Sequence, residues 1–152
     1  MLKKRLTGVA VAVAVTVGGL LAVAGPAQAA TPAIQITKVY YNSPGTDNRS
    51  NSSLNAEYVK LTNRRSAAVN LKSWTVRDKS SHVYKFAGDF RLAAGASVYL
   101  HTGKGTNTAT HRYWGSGAYI WNNDGDTAYV RNVAGTLIDS CSWKSSGSYT
   151  SC

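Results

Sequence analysis

The stretch Glu57-Tyr58-Val59-Lys60-Leu61-Thr62-Asn63 sets Val59 and Leu61 on one side of the chain and Tyr58, Lys60 and Thr62 on the other. A period of two belongs to a strand with one buried face, because successive side chains of an extended chain point in opposite directions. Working outward, Ser97-Val98-Tyr99-Leu100-His101 repeats the pattern, with Val98 and Leu100 inward. Ile34-Gln35-Ile36-Thr37 alternates in the same way and runs on to the pair Tyr40-Tyr41. Residues 127–131 turn Ala128 and Val130 inward, and residues 136–143 follow across the turn Asn132-Val133-Ala134-Gly135. Val69 and Leu71 lead into Trp74-Thr75-Val76-Arg77-Asp78, and residues 83–86 come after a polar turn. About seven or more short strands at this spacing, with no convincing helix, predict an all-β fold, an antiparallel β-sandwich.

Between the strands the residues fit turns. Residues 42–55 are rich in Asn, Ser, Gly, Asp and Pro and read as a loop. Asn123-Asp124-Gly125-Asp126 carries the Asp-Gly hairpin signal. Gly95 and Gly125 are expected where φ is positive, and Asn63 where a side-chain amide replaces a missing backbone hydrogen bond. Trp74, Phe86, Phe90 and Leu92 are expected in the core or at its corners. Glu57 is expected either to pair with a cation on a neighbouring strand or to orient a loop.

The chain has 152 residues, 43% of them hydrophobic and 16% charged, with 17 Lys and Arg against 7 Asp and Glu. That length suits a single domain, or one domain plus a tail, and excludes most two-domain enzymes and large cofactor-binding folds. The formal charge of +10 invites an anionic partner. Part of it lies in a segment read as an export signal. Lys3, Lys4 and Arg5 precede an apolar run from Leu6 to about Ala24, and then come Gly25-Pro26 and Ala27-Gln28-Ala29. This order predicts a cleavable signal peptide over residues 1–29, a secreted product and no stable membrane insertion after cleavage. A membrane anchor is the alternative, since the run approaches the ~20 residues that span a bilayer. Cleavage would leave 123 residues with 14 cations against 7 carboxylates, dispersed along the strands. Cys141 and Cys152 would both enter an oxidising compartment, which favours a disulfide tying back the tail at 144–152; two free thiols are the alternative.

The ordered set Glu57 to Asn63, Val69 to Asp78, Tyr84-Lys85-Phe86, Phe90-Arg91-Leu92-Ala93-Ala94-Gly95, His101-Thr102-Gly103, Tyr113-Trp114-Gly115 and Trp121 to Ala128 resembles the lamin tail domain in its bacterial, secreted, single-domain version. The resemblance covers roughly residues 33–143, inside a domain placed at 30–143. It implies an immunoglobulin-like β-sandwich and a non-enzymatic role as a binding module. In nuclear lamins the domain belongs to a filament protein, but no heptad pattern runs through this chain, so filament assembly does not carry over.

Two groups of side chains on that frame are candidate sites. The outward partners of the alternating strands are Tyr58, Lys60, Tyr99, His101, Tyr129 and Arg131, a mixture of aromatics and cations able to stack bases or sugars and attract phosphates. Tyr113, Trp114, Tyr119 and Trp121 surround the loop Gly115-Ser116-Gly117 as a second group, read either as packing or as a ligand platform. The partner expected is a macromolecule: a protein, an envelope polymer or nucleic acid. A small secreted hydrolase or nuclease using His101 and His111 is the alternative, and it would need carboxylates that the loop between them lacks. Gly103-Lys104-Gly105-Thr106 lacks the spacing of a phosphate loop. Asp124 and Asp126 share a turn that reads as a hairpin rather than a calcium site. Asn51-Ser52-Ser53 fits a glycosylation sequon. No cofactor is expected.

Overall fold

A computed structural model describes residues 24–27 and 29–152. The expected signal peptide lies almost wholly outside the described residues. Two sheets pack face to face. The first has five strands in the order β11-β1-β2-β7-β8: β1 is Ile34–Tyr40, β2 Tyr58–Asn63, β7 Ser97–His101, β8 His111–Tyr113 and β11 Tyr149–Ser151. The second has four in the order β10-β9-β4-β5: β4 is Thr75–Arg77, β5 Val83–Lys85, β9 Gly125–Arg131 and β10 Leu137–Lys144. β3 (Val69–Asn70) and β6 (Arg91–Leu92) form a small separate pair. All pairings are antiparallel except β7 with β8, so the sandwich differs from the purely antiparallel expectation at one edge.

Alternation determines the core. Ile34, Ile36, Val59, Leu61, Val98 and Leu100 come from the first sheet and Val76, Ala128 and Val130 from the second, all essentially inaccessible to solvent. Burying each of the Ile, Val and Leu side chains contributes about 1.5–3 kcal/mol against the chain entropy lost on folding. Phe86, Phe90 and Leu92 close one end, as expected, while Trp74 is only half-buried against it. A bulge between Ile36 and Lys38 reverses the parity of β1, so that Val39 and Tyr41 continue inward and Lys38 and Tyr40 turn out.

Polar groups complete the turns. Asn63 is buried; its Nδ2 donates to the carbonyls of Ala67, Leu92 and Ala93, and its Oδ1 accepts from the Arg65 amide. Three turns thus converge on one side chain, a larger form of the role expected of it. Gly125 has φ +128, and a Cβ there would lie 3.1 Å from the Trp143 carbonyl oxygen, so only glycine fits this entry to β9; the turn before it is not the expected hairpin, because β8 and β9 lie in different sheets.

Two segments differ from expectation. Residues 42–55 are not all loop: α1, Asn51–Ala56, forms one short helix capped by Ser50, whose Oγ accepts from the Ser53 amide. Its side chains serve a loop, since the Asn51 and Asn55 amides both donate to the Lys104 carbonyl. The sequon side chain at Asn51 is therefore engaged within the fold. The tail also carries structure. β11 pairs with β1, and the Cys141–Cys152 disulfide holds it from the second sheet, as the bridge reading requires.

Candidate functional site

The outer face of the five-stranded sheet is organised by cross-strand register. Tyr149, Tyr40, Tyr58, His101 and Tyr113 lie opposite one another across all five strands. Ring centroids are 5.9 Å apart for Tyr149–Tyr40, 5.6 Å for Tyr40–Tyr58, 5.9 Å for Tyr58–His101 and 5.1 Å for His101–Tyr113. A second row holds Lys38, Lys60, Tyr99 and His111. The Lys38 ammonium sits 3.9 Å from the Tyr149 ring centroid and the Lys60 ammonium 5.5 Å from that of Tyr99.

Most rings in the first row stack on their neighbours and so turn their faces toward adjacent strands. Their edges and hydroxyls are left for solvent, so this row is poorly arranged for the base or sugar stacking expected from the sequence. Among the described residues, the hydroxyls of Tyr40, Tyr58, Tyr99, Tyr113 and Tyr149 have no hydrogen-bond partner within the protein. Together with two ammonium groups they form a surface of donors aimed outward.

His101 and His111 do meet, with His101 Nε2 2.9 Å from His111 Nδ1. The Asn55 carbonyl lies 2.7 Å from His101 Nδ1 and can only accept, so that nitrogen carries the proton. With His101 neutral, Nε2 accepts from His111 Nδ1–H. Burial is the main cause that lowers the His101 pKa; the Asn55 carbonyl opposes it and His111 adds to it. Both nitrogens of His101 are thus spent on structure. No carboxylate approaches the pair, and no cluster of three or more metal-ligating side chains occurs among the described residues.

Several sequence expectations are corrected. Tyr129 and Arg131 do not share a surface with Tyr58, Lys60, Tyr99 and His101; they project from β9 on the opposite face of the sandwich. The Tyr113, Trp114, Tyr119 and Trp121 group is no platform. Trp121 is buried, its ring edge-on to Trp114 and Trp143, and the Tyr119 hydroxyl lies 2.7 Å from Ser53 Oγ. Only Tyr113 joins the outward row. Asp126 is buried with both oxygens on backbone amides: Oδ1 accepts from Lys79 and Thr127, and Oδ2 from Asn122. It shapes the turn that leads into β9.

Sequence reasoning missed Lys38, Tyr40 and Tyr149. The bulge hides the first two from a simple alternation count, and Tyr149 sits in a Gly/Ser-rich tail that resembles a linker. It left Glu57 open. Glu57 is inaccessible to solvent; its Oε1 accepts from Thr102 Oγ1 at 2.6 Å and from the amides of Ile120 and Trp121, while Oε2 has no partner. It therefore orients the connection between β8 and β9 and pairs with no cation. Burial raises its pKa to about 7 against the three hydrogen bonds, with Asp47 adding slightly.

No curated protein matches this chain. The family model of the lamin tail domain matches residues 27–145, which take in every strand described above except β11. The sandwich, the register of its strands and this match together place the chain in the lamin tail domain family, a family of non-enzymatic immunoglobulin-like domains.

Proposed function

We propose that this protein is a secreted, non-catalytic binding module that holds an extracellular or cell-envelope macromolecule on the outer face of its five-stranded sheet. The observation that carries the reading is the row Tyr149–Tyr40–Tyr58–His101–Tyr113 with Lys38 and Lys60 beside it. Five uncommitted phenol hydroxyls and two ammonium groups over a span of five strands, about 20 Å, suit an extended ligand rich in hydrogen-bond acceptors. Such a surface needs no pocket, because its donors are held in register by the strands themselves. Export rests on the basic, apolar and Ala-x-Ala order of residues 1–29 and on a disulfide that needs an oxidising compartment.

Two measurements test this. Purified protein is expected to co-sediment with isolated cell envelope above an unrelated protein of equal charge, and Lys60→Gln with Tyr99→Ser is expected to lower that retention about tenfold. Equal retention of the double variant would show that the face is ordinary solvated surface. Expressed with its natural N-terminus, the protein is expected in the medium beginning at Ala30. An unprocessed chain held in the membrane would overturn the export reading.

A further inference from the structure

The opposite face of the molecule carries a second surface with a different chemistry. On the four-stranded sheet, Lys85, Thr75, Arg131 and Leu137 lie opposite one another across four strands, and Val83, Arg77, Tyr129 and Ser140 form the next row. Two shallow hollows of about 270 and 380 Å³ open here, and both are lined by Arg77 and Arg131. Lys79 lines the first and Lys85 the second, so four cations face one strip of surface.

None of these cations forms an ion pair among the described residues, where the pairs are Lys72–Asp89 and His82–Asp78, although Lys79 also lines an adjoining hollow with Asp124 and Asp126. Asp78 is the carboxylate lining the first hollow, but it is buried and bound to the His82 amide and ring. Like charges gathered without ion pairs repel one another, and an anion placed between them reduces that repulsion. Arg131 is also held in place: its Nη1 donates to the Gly135 carbonyl at 3.0 Å, and its buried Nε has no partner.

The rim of this strip is aliphatic. Among the described residues, the exposed large hydrophobic side chains are Val83 at 44%, Val133 at 69%, Leu137 at 45% and Tyr149 at 52%, and the first three all border the cation strip. Val133 stands at the tip of the turn joining β9 to β10. A nucleic-acid backbone would satisfy the cations and leave this rim in water. An anionic bilayer satisfies both, with lipid phosphates against the guanidinium groups and the aliphatic tip in the boundary between headgroups and acyl chains.

We infer that this face is a peripheral docking surface for a bilayer of anionic phospholipid, with Arg77 and Arg131 receiving headgroup phosphate and Val133 and Leu137 entering the interface. It stands apart from the five-stranded face and does not depend on it. The test is flotation of the purified protein with vesicles of phosphatidylglycerol in phosphatidylcholine, set against pure phosphatidylcholine. Binding is expected with the anionic vesicles alone and is expected to weaken as salt rises. Arg77→Gln with Arg131→Gln should lower the partition coefficient about thirtyfold, and Val133→Asp about tenfold. Lys60→Gln with Tyr99→Ser, on the other face, should leave it unchanged, so the two readings fail separately. Val133 lies in an exposed turn, so its variant tests the surface even where the double arginine variant does not fold. The inference is overturned by equal binding to neutral vesicles or by wild-type partitioning of the arginine and Val133 variants. Capture of a single-stranded oligonucleotide through Arg77 and Arg131 without vesicle binding would overturn it in favour of nucleic acid.

Discussion

Glu57→Ala is expected to cost about 4 kcal/mol of folding stability, enough to remove a large part of the stability of a domain this size. The side chain is solvent-inaccessible, and its Oε1 is the acceptor for three donors: the Thr102 hydroxyl and the amides of Ile120 and Trp121. Alanine leaves all three buried without partners and opens a cavity beside them. Glu57→Gln keeps an acceptor oxygen in place and isolates the charge. In the native protein the carboxyl titrates at about 7, against 4.5 for a free glutamate, because burial disfavours the ion. The folded state therefore holds this proton more tightly than the unfolded chain does. The resulting stability is fully present below about pH 4.5 and is lost as pH rises through about 7. The difference corresponds to about 3 kcal/mol. Urea unfolding at about pH 4 and about pH 8 should show the wild type losing that amount relative to Glu57→Gln. Parallel pH dependence in the two proteins would rule out Glu57 as the source.

Cys152→Ser is expected to cost about 3 kcal/mol, the chain entropy returned to the unfolded state when a loop with a sequence separation of 11 is opened. The effect should be local as well as global. β11 is only three residues long and contacts the rest of the fold through β1, where the Tyr41 amide donates to the Ser148 carbonyl at 3.0 Å and the Cys152 amide to that of Thr37 at 3.2 Å. Freed from the bridge, so short a strand loses its pairing and β1 becomes an unprotected edge. Thermal unfolding should fall in temperature, and hydrogen exchange at Tyr41 should quicken before the core opens. Unchanged Tyr41 protection in the variant would mean that pairing alone holds the tail. The same change would remove Tyr149 from the outward aromatic row, so binding on that face and the disulfide are coupled. β11 and Cys152 lie beyond the residues matched by the lamin tail domain model. The final strand is thus outside the matched segment, yet it finishes the candidate surface.

Much of the fold was legible because its cause is local. Val59, Leu61, Val98, Leu100, Ala128 and Val130 are all buried, as their alternation requires. Gly95 and Gly125 sit at positive φ, as their turns require, whereas the full role of Asn63 depends on the distant carbonyls of Leu92 and Ala93 as well as on its own turn. The candidate site was legible only in pieces. Tyr58, Lys60, Tyr99 and His101 were identified as outward and do form one surface. Lys38 and Tyr40 were not, since a single bulged residue in β1 exchanges the two faces for everything that follows.

Sequence alone determined which side of β2, β7 and β9 faces water and the lamin-tail order of the motifs. These depend on residue type and spacing along one segment. Tertiary structure alone decided which outward residues are neighbours. Tyr129 and Arg131 match Tyr58 and Lys60 in every local respect, yet β9 pairs with β4 and β10 while β2 pairs with β1 and β7. Strand partnership is a contact between distant segments, set by packing of the whole core, and no local period encodes it. The apparent single aromatic and basic surface is therefore two surfaces, back to back across the sandwich.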